Sequence, residues 1–268
     1  MNGKIETLSS NENLTLERRA KILEILERDG QARVNALSEL FGVSEVTIRN
    51  DFDKLEEKGL LIRTRGGGIR NQRFRIDYQL NKEATSRLRE KQLIGRIAAS
   101  LVEDKDTILL DSGTTTLEVA KNLNSVSDLT VVTNALNIAD QFVDNLNVSV
   151  VMLGGRLHQS TVSLIGPMAE ENLGKLYCDK MFLGINGIDS KHGVYKAHVE
   201  DSHLKNLMMH VSREVIVVAD SSKFQKRSFS LLAPIADIHT VVTDSNAPEE
   251  DIQNLRKAGV KVIIAEDN

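Results

Sequence analysis

The sequence predicts an α/β protein in two parts, a small helical domain ending in a basic hairpin and a larger domain built on a parallel sheet. Three observations carry this. Residues 44–60 have a helical period with one apolar face and run into an arginine- and glycine-rich stretch. Beyond residue 100, short β-branched runs alternate with helical patterns. The two parts also differ in charge: of 34 basic and 38 acidic side chains, residues 1–75 hold 14 and 12, leaving 20 and 26 to the rest. Residues 60–75 contain five arginines and no acid, so the positive charge is local and the larger part is free for another task.

The first helix is expected over residues 17–29 with Ile22, Leu23 and Leu26 inward, and the second over residues 34–41 with Val34, Leu37 and Phe41 inward. Gly30 and Gly42 close them. Ser44 is a good N-cap for the third, in which Ile48, Phe52 and Leu55 share the inner face while Val46 and Asn50 lie a turn apart on the opposite one. An outward valine suits a DNA groove. Val46 would meet a thymine methyl, Asn50 an adenine edge, and Thr47 and Arg49 a phosphate or a guanine. A strand at residues 60–62 then leads through Arg63 and Arg65 to Gly66-Gly67-Gly68, a wing whose unopposed cations should contact phosphate. Three helices and a wing form a winged helix-turn-helix over residues 15–70, and its expected partner is double-stranded DNA.

Residues 71–82 carry charge and no apolar period, and are expected to be a linker; the second domain then spans residues 83–268. A helix over residues 83–102 presents Leu93, Ile94, Ile97, Ala98 and Leu101 as one stripe. The runs at residues 107–110, 129–133, 148–153, 180–184, 215–219, 240–243 and 260–265 read as buried strands, and the segments between them as helices. That is a Rossmann-like parallel sheet, in which ligands bind beyond the carboxyl ends of the strands. Asp111-Ser112-Gly113-Thr114-Thr115-Thr116 follows the first strand and suits an anion: hydroxyls, a glycine and a helix N-terminus. The same six residues also fit a polar capped turn. Four further strand ends favour a ligand: Thr133-Asn134, Gly154-Gly155-Arg156, the loop from Gly184 through Asn186 to Asp189, and Asp220-Ser221-Ser222-Lys223.

The remaining residues exclude several chemistries. Cys178 is the one cysteine, so no internal disulfide or multi-cysteine zinc site exists, and it is expected to be a small buried side chain. The histidines lack metal-binding spacing, and there is no nucleophile elbow or dinucleotide fingerprint, so no cofactor and no metal are expected. The N-terminus has no apolar leader and no window approaches a membrane span, which places the expected protein in the cytoplasm without a membrane partner.

The N-terminal pattern, from Arg18-Arg19 through Leu37-Ser38, Val43-Ser44, Thr47-Ile48-Arg49, Asp51, Leu55-Glu56 and Gly59 to Arg65-Gly66-Gly67, resembles the winged helix-turn-helix of the DeoR family of bacterial transcription regulators. Asn50 stands where relatives usually have a second arginine, and Phe52 replaces a leucine; the first faces DNA and the second the core. The strand-end motifs resemble the sensor domain of the same family, which is similar in fold to ribose-5-phosphate isomerase. The resemblance implies that a phosphorylated sugar binds there. Ser112 to Thr116 would hold its phosphate beside Asp111, Asn134, Asn186 and Asp189 would line the sugar, Lys223 would neutralise charge, and either Glu200 or Asp201 would face the ligand. The function so implied is an operator-binding regulator, a repressor of a sugar-metabolism operon. The alternative is a sugar-phosphate isomerase with a DNA-binding appendage; against it, Leu183 and Asn186 stand where such enzymes carry aspartates. A weakly basic single winged domain needs a second copy to hold a genomic site, so at least a homodimer is expected.

Overall fold

Local signals set the N-terminal helices. Residues 10–57, 60–70 and 85–266 are described by the computed structural model, with Arg70, Glu200 and several residues of the first helix described by their backbone alone. The expected linker, with Arg73 and Arg75, lies outside the described residues. The chain divides into two units, Met1–Asn81 and Lys82–Asn268. In the first, helices α1 (Ser10–Asp29), α2 (Val34–Phe41) and α3 (Glu45–Glu57) enclose Ile22, Leu26, Ile48 and Phe52, all fully buried. Helix α1 begins earlier than its apolar period suggests. Gly30 and Gly42 follow α1 and α2 in the left-handed conformation, φ 74° and 64°, which a glycine adopts without a Cβ clash.

Strands β2 (Leu61–Thr64) and β3 (Gly67–Arg70) make the wing, and a third strand, β1 (Gln31–Arg33), pairs antiparallel with β3 on its other side. Sequence reading did not anticipate β1. It forms because Gly67 has no side chain: a Cβ there would collide with the Ala32 carbonyl. The glycine run is thus a packed strand rather than a loose tip.

The second unit opens with α4 (Leu88–Ala99), shorter than expected, and continues β4 (Thr107–Leu110), α5 (Thr114–Ala120), β5 (Leu129–Thr133), α6 (Leu136–Ala139), β6 (Val148–Met152), β7 (Arg156–His158), β8 (Ser163–Ile165), α7 (Pro167–Leu173) and β9 (Cys178–Gly184). There follow β10 (Gly187–Asp189), β11 (Gly193–Lys196), α8 (Val199–His210), β12 (Ser212–Val218), β13 (Ser230–Ala233), β14 (Thr240–Asp244), α9 (Glu249–Lys257) and β15 (Lys261–Ala265). Seven of these strands form a parallel sheet in the order β15-β14-β12-β9-β4-β5-β6.

Both faces of that sheet are covered, and alternation along each strand shows how. Leu109, Met181, Leu183, Val215, Val217 and Val241 join one core with α7, α8 and α9, while Ile108, Leu110, Phe182, Ile216, Val218 and Val242 join the other with α4 and α5. Successive side chains of a strand point to opposite faces, so only apolar runs serve a sheet buried on both. Cys178 and Met208 lie in the first core and Phe142 in the second. Burial pushes the Cys178 thiol up to about 11, with the neighbouring Asp179 charge adding to the effect, so it is an inert core group.

The chain enters the sheet at β4, moves outward to β6, then returns to β9 on the other side of β4 and moves outward to β15. Strand order therefore reverses between β4 and β9. At such a switch point the following loops part and leave a crevice at the carboxyl ends. Two small antiparallel elements were not anticipated, the sheet β10-β11-β13 and the hairpin β7-β8. The segment from Gly184 to Asp189, read as one loop, is a strand end, a two-residue connection and the strand β10.

Candidate functional site

The DNA-facing candidates lie on α3 and the wing. Ser44 caps α3 by accepting the Thr47 amide at 3.2 Å, and the two hydroxyls stand 2.9 Å apart. Val46 is 63% exposed and Asn50 is exposed beside it, whereas Ile48, Phe52 and Leu55 are buried. An apolar side chain so open on a helix with a well-filled inner face has nothing in its own unit to pack on. Arg49 is exposed and pairs with Glu45 at 2.7 Å, a bond that solvent weakens and a phosphate could replace.

Arg63 requires a correction, since it is not an unopposed cation. Its guanidinium lies 5.5 Å from the centroid of the Phe52 ring, 3.6 Å from Asp53, and donates to the Arg49 carbonyl at 3.4 Å. Arg63 fastens the wing to α3. Arg65, at the turn between β2 and β3, is exposed and has no partner among the described residues.

Sequence reading also missed what Arg18 and Arg19 do. Both donate through Nε to Asp51, at 2.6 and 2.7 Å, and Asp51 is 1% exposed. A carboxylate buried on α3 is thereby neutralised from α1, which fixes the recognition helix against the first. The pattern that carried the family resemblance here serves folding.

In the larger unit, the Asp111 loop follows β4 and rests against the end of β9, its Asp111 amide donating to the Phe182 carbonyl at 3.3 Å. Thr116 is fully buried and occupied inside the turn: its hydroxyl accepts the Gly113 amide at 2.9 Å and donates to the Asp111 carbonyl at 2.8 Å. Ser112 is half-buried and within 3.4 Å of Lys205, while the hydroxyls of Thr114 and Thr115 have no partner among the described residues. The turn is thus both a cap and a donor surface, with Thr116 assigned to the cap.

Asp111 itself is fully buried and anchors a charge cluster that sequence reading only grazed. Lys205, on α8 and 1% exposed, donates to its carboxylate at 2.7 Å and lies 3.4 Å from Asp201, one helical turn earlier. Lys196, ending β11 and 6% exposed, donates to the Gly184 carbonyl at 2.9 Å and stands 3.5 Å from Asp201 and 4.0 Å from Asp111. Two ammoniums and two carboxylates therefore converge at the switch point.

Burial penalises each charge, and the neighbours decide the outcome. For Lys196, burial and the ammonium of Lys205 win, and its pKa falls to about 8. For Lys205 burial is outweighed by Asp111 and Asp201, which raise it. Burial would also raise Asp201, but Lys205 and Lys196 hold its carboxyl below the usual range. The open member of this quartet is Asp201, which keeps 15% of its side-chain surface. Asp201 lines a cleft of about 250 Å³ with His158, Ile165, Ala197, His198, Val199 and Phe229. Of the two acids left open by sequence, Asp201 is thus on the cleft; the side chain of Glu200 lies outside the described residues.

The other expected residues are distributed. Asn134 directly follows β5 and is buried, donating to the Leu164 carbonyl at 3.0 Å while its side-chain oxygen is unpartnered. Asn186 accepts the Ala197 amide at 3.2 Å, which sets the start of α8 relative to Lys196. Lys223 ends the short turn after β12, half-buried. Arg87, at the start of α4, donates to Ser221 at 3.1 Å and lies 3.7 Å from buried Asp220, tying that loop to the point where the chain enters the unit. Asp189 belongs elsewhere. It ends β10, and its carboxylate is engaged by Arg227 at 2.8 Å and His192 at 2.9 Å, sharing no partner with the Asp111 cluster. Burial alone would raise it, but those two partners hold it well below the ordinary carboxylate range.

Among the described residues no group of three or more His, Cys, Asp or Glu could hold a metal ion, and no helix is long and apolar enough to cross a membrane.

Residues 18–74 match the model of the DeoR-like helix-turn-helix domain, and residues 86–245 that of the DeoR C terminal sensor domain. The chain is similar to the HTH-type transcriptional repressor GlcR of Bacillus subtilis (strain 168), 36% identical over 256 residues, 94% of this chain and 97% of that one. It is also 36% identical to the transcriptional repressor AccR of Agrobacterium fabrum over 234 residues (87% and 91%), and 32% identical to a lactose phosphotransferase system repressor of Staphylococcus epidermidis over 238 residues (87% and 94%). A solved D-ribose-5-phosphate isomerase aligns with 50% of this chain and 52% of its own, at 16% identity and a TM-score of 0.38, a likeness too slight to bear on function. Two domain matches in order, and repressors alike over 87–94% of its length, make this chain a member of the DeoR family of transcription regulators rather than an enzyme.

Proposed function

We propose that this protein is a cytoplasmic repressor of a sugar-metabolism operon, acting as at least a homodimer and released from double-stranded operator DNA by a phosphorylated sugar. The observation that carries the effector reading is the convergence of Asp111, Lys205, Lys196 and Asp201 where strand order reverses. A pocket lined by Asp201, whose carboxylate has the Lys196 and Lys205 ammoniums within 3.5 Å behind it, suits a ligand with hydroxyls for the carboxylate and an anion for nearby donors. Ser112, Thr114 and Thr115 are the phosphate donors in this reading, Asn134 and Asn186 line the sugar, and Lys223 supplies further charge. Asp189 takes no part. The name of one relative, a lactose phosphotransferase system repressor, supports a carbohydrate setting.

Operator contact rests on Val46, Thr47, Arg49 and Asn50, with Ser44 shaping the helix start, Arg65 reaching phosphate and Arg63 holding the wing in place. Two winged domains on repeated half-sites gain from effective concentration what one lacks in charge. The test begins with a thermal-shift screen of phosphorylated sugars, in which a ligand at a hundred times its Kd adds about 2.7 kcal/mol to stability. Operator titrations of the wild type and of Thr115→Glu follow, with and without the ligand found. The variant should keep its DNA affinity and lose the response, because its carboxylate occupies the anion's place. An unaltered response would remove the phosphate from this loop.

A further inference from the structure

The cleft through which Asp201 opens has an apolar mouth that the charge cluster does not explain. Phe229, just before β13, lines that cleft yet is 83% exposed, and Val199, which also lines it, is 59% exposed. Both carry apolar surface that burial would stabilise. Asp201 also lines the cleft, and His158 and His198 sit opposite one another with ring centroids 6.5 Å apart. An aromatic face beside a carboxylate is the arrangement that reads a sugar ring from two sides. The flat, weakly polar C–H face of the ring covers the phenyl group, and hydroxyls at its edge donate to the carboxylate. An open-chain polyol presents hydroxyls in every direction and has no such face to offer.

Resting on the sugar-phosphate reading above, we infer that Phe229 is a specificity-determining residue of the effector site, a platform that selects the closed-ring form of a sugar phosphate whose hydroxyls are held by Asp201. The phosphate of such a ligand lies toward the Asp111 loop, so the ring is positioned from both ends. Open-chain phosphates of equal charge are then poor effectors.

The chain has no tryptophan, so Phe229→Trp installs a single emission reporter at the platform. The probes are glucose, galactose and mannose 6-phosphates, each paired with its reduced open-chain alditol 6-phosphate. A ring sugar that stabilises the wild type in thermal shift should change the emission of the tryptophan variant saturably. Phe229→Ala should weaken that sugar tenfold or more, equivalent to about 1.4 kcal/mol, and leave its alditol within about twofold. Equal binding of the ring sugar by wild type and Phe229→Ala, or unmoved emission while the thermal shift reports binding, overturns the platform and leaves the effector reading standing. A change of oligomeric state in Phe229→Ala by light scattering, without a change in ligand affinity, assigns the ring to a subunit interface and equally overturns it. A different ring sugar phosphate found by the thermal-shift screen takes the place of these three with its own alditol; if no phosphorylated sugar stabilises the wild type, the sugar-phosphate reading fails and this inference with it.

Discussion

Replacing Lys205 with methionine tests whether the buried quartet is held together as its geometry requires. Lys205 keeps 2% of its side-chain surface and Asp111 none, and the pair is closed at 2.7 Å. Methionine fills most of the space and deletes only the charge, so the cost is that of a carboxylate left buried, about 3–5 kcal/mol for such pairs. Two features lower it. Asp111 retains Thr116 at 3.1 Å and Lys196 at 4.0 Å, and with Lys205 gone the like charge that disfavours the Lys196 ammonium is also gone. We therefore expect about 3 kcal/mol, or about 6–12 °C in the Tm of a domain of this size. The measurement is urea unfolding of the full chain by circular dichroism, fitted as two transitions, for wild type, Lys205→Met, Asp111→Asn and the double variant. Because the double variant leaves neither charge of the pair orphaned, its loss should fall short of the summed single losses by about 2 kcal/mol. Strict additivity, or a single-variant cost below about 1 kcal/mol, would refute an effectively desolvated pair.

Three further outcomes are expected. Lys196 has a folded pKa of about 8 against an ordinary 10.5, so above pH 8 the unfolded chain binds more protons and stability rises with pH, by up to about 1.4 kcal/mol per unit. Lys196→Met should lack that rise between pH 8 and 9, where the opposing contribution of Cys178 is common to both proteins and cancels; parallel curves would place Lys196 in solvent. Asp51→Asn should destabilise the N-terminal unit by about 2–3 kcal/mol, below the cost for a fully buried pair because Arg18 and Arg19 keep 15% and 27% of their surface, and should leave sugar-phosphate binding unchanged in calorimetry. Arg65→Ala should flatten the logarithmic salt dependence of operator binding by about 0.9, whereas Arg63→Ala should chiefly lower the Tm, by the loss of a contact of about 0.5–1 kcal/mol over Phe52; equal slopes in anisotropy titrations would erase this distinction.

What the sequence alone determined is what short stretches decide. Helix α2 and its glycine stop, the Ser44 cap, the inner face Ile48-Phe52-Leu55, and the alternation of apolar runs with helices all follow from spacing and capping within a few residues. The parallel sheet was legible for the same reason, since strands buried on both faces must be apolar throughout. Tertiary structure alone decided which charges are buried and with whom. Asp111 meets Lys205 across 94 residues, and Arg18 meets Asp51 across 33, distances over which no local pattern reports. The short strands β10, β11 and β13 have no hairpin turn between all their neighbours and too little alternation to be seen, yet they carry Lys196 inward and turn Asp189 away toward Arg227. A charged side chain in sequence is neutral evidence between surface and site; only the desolvation imposed by packing, and the partner that offsets it, separates the two.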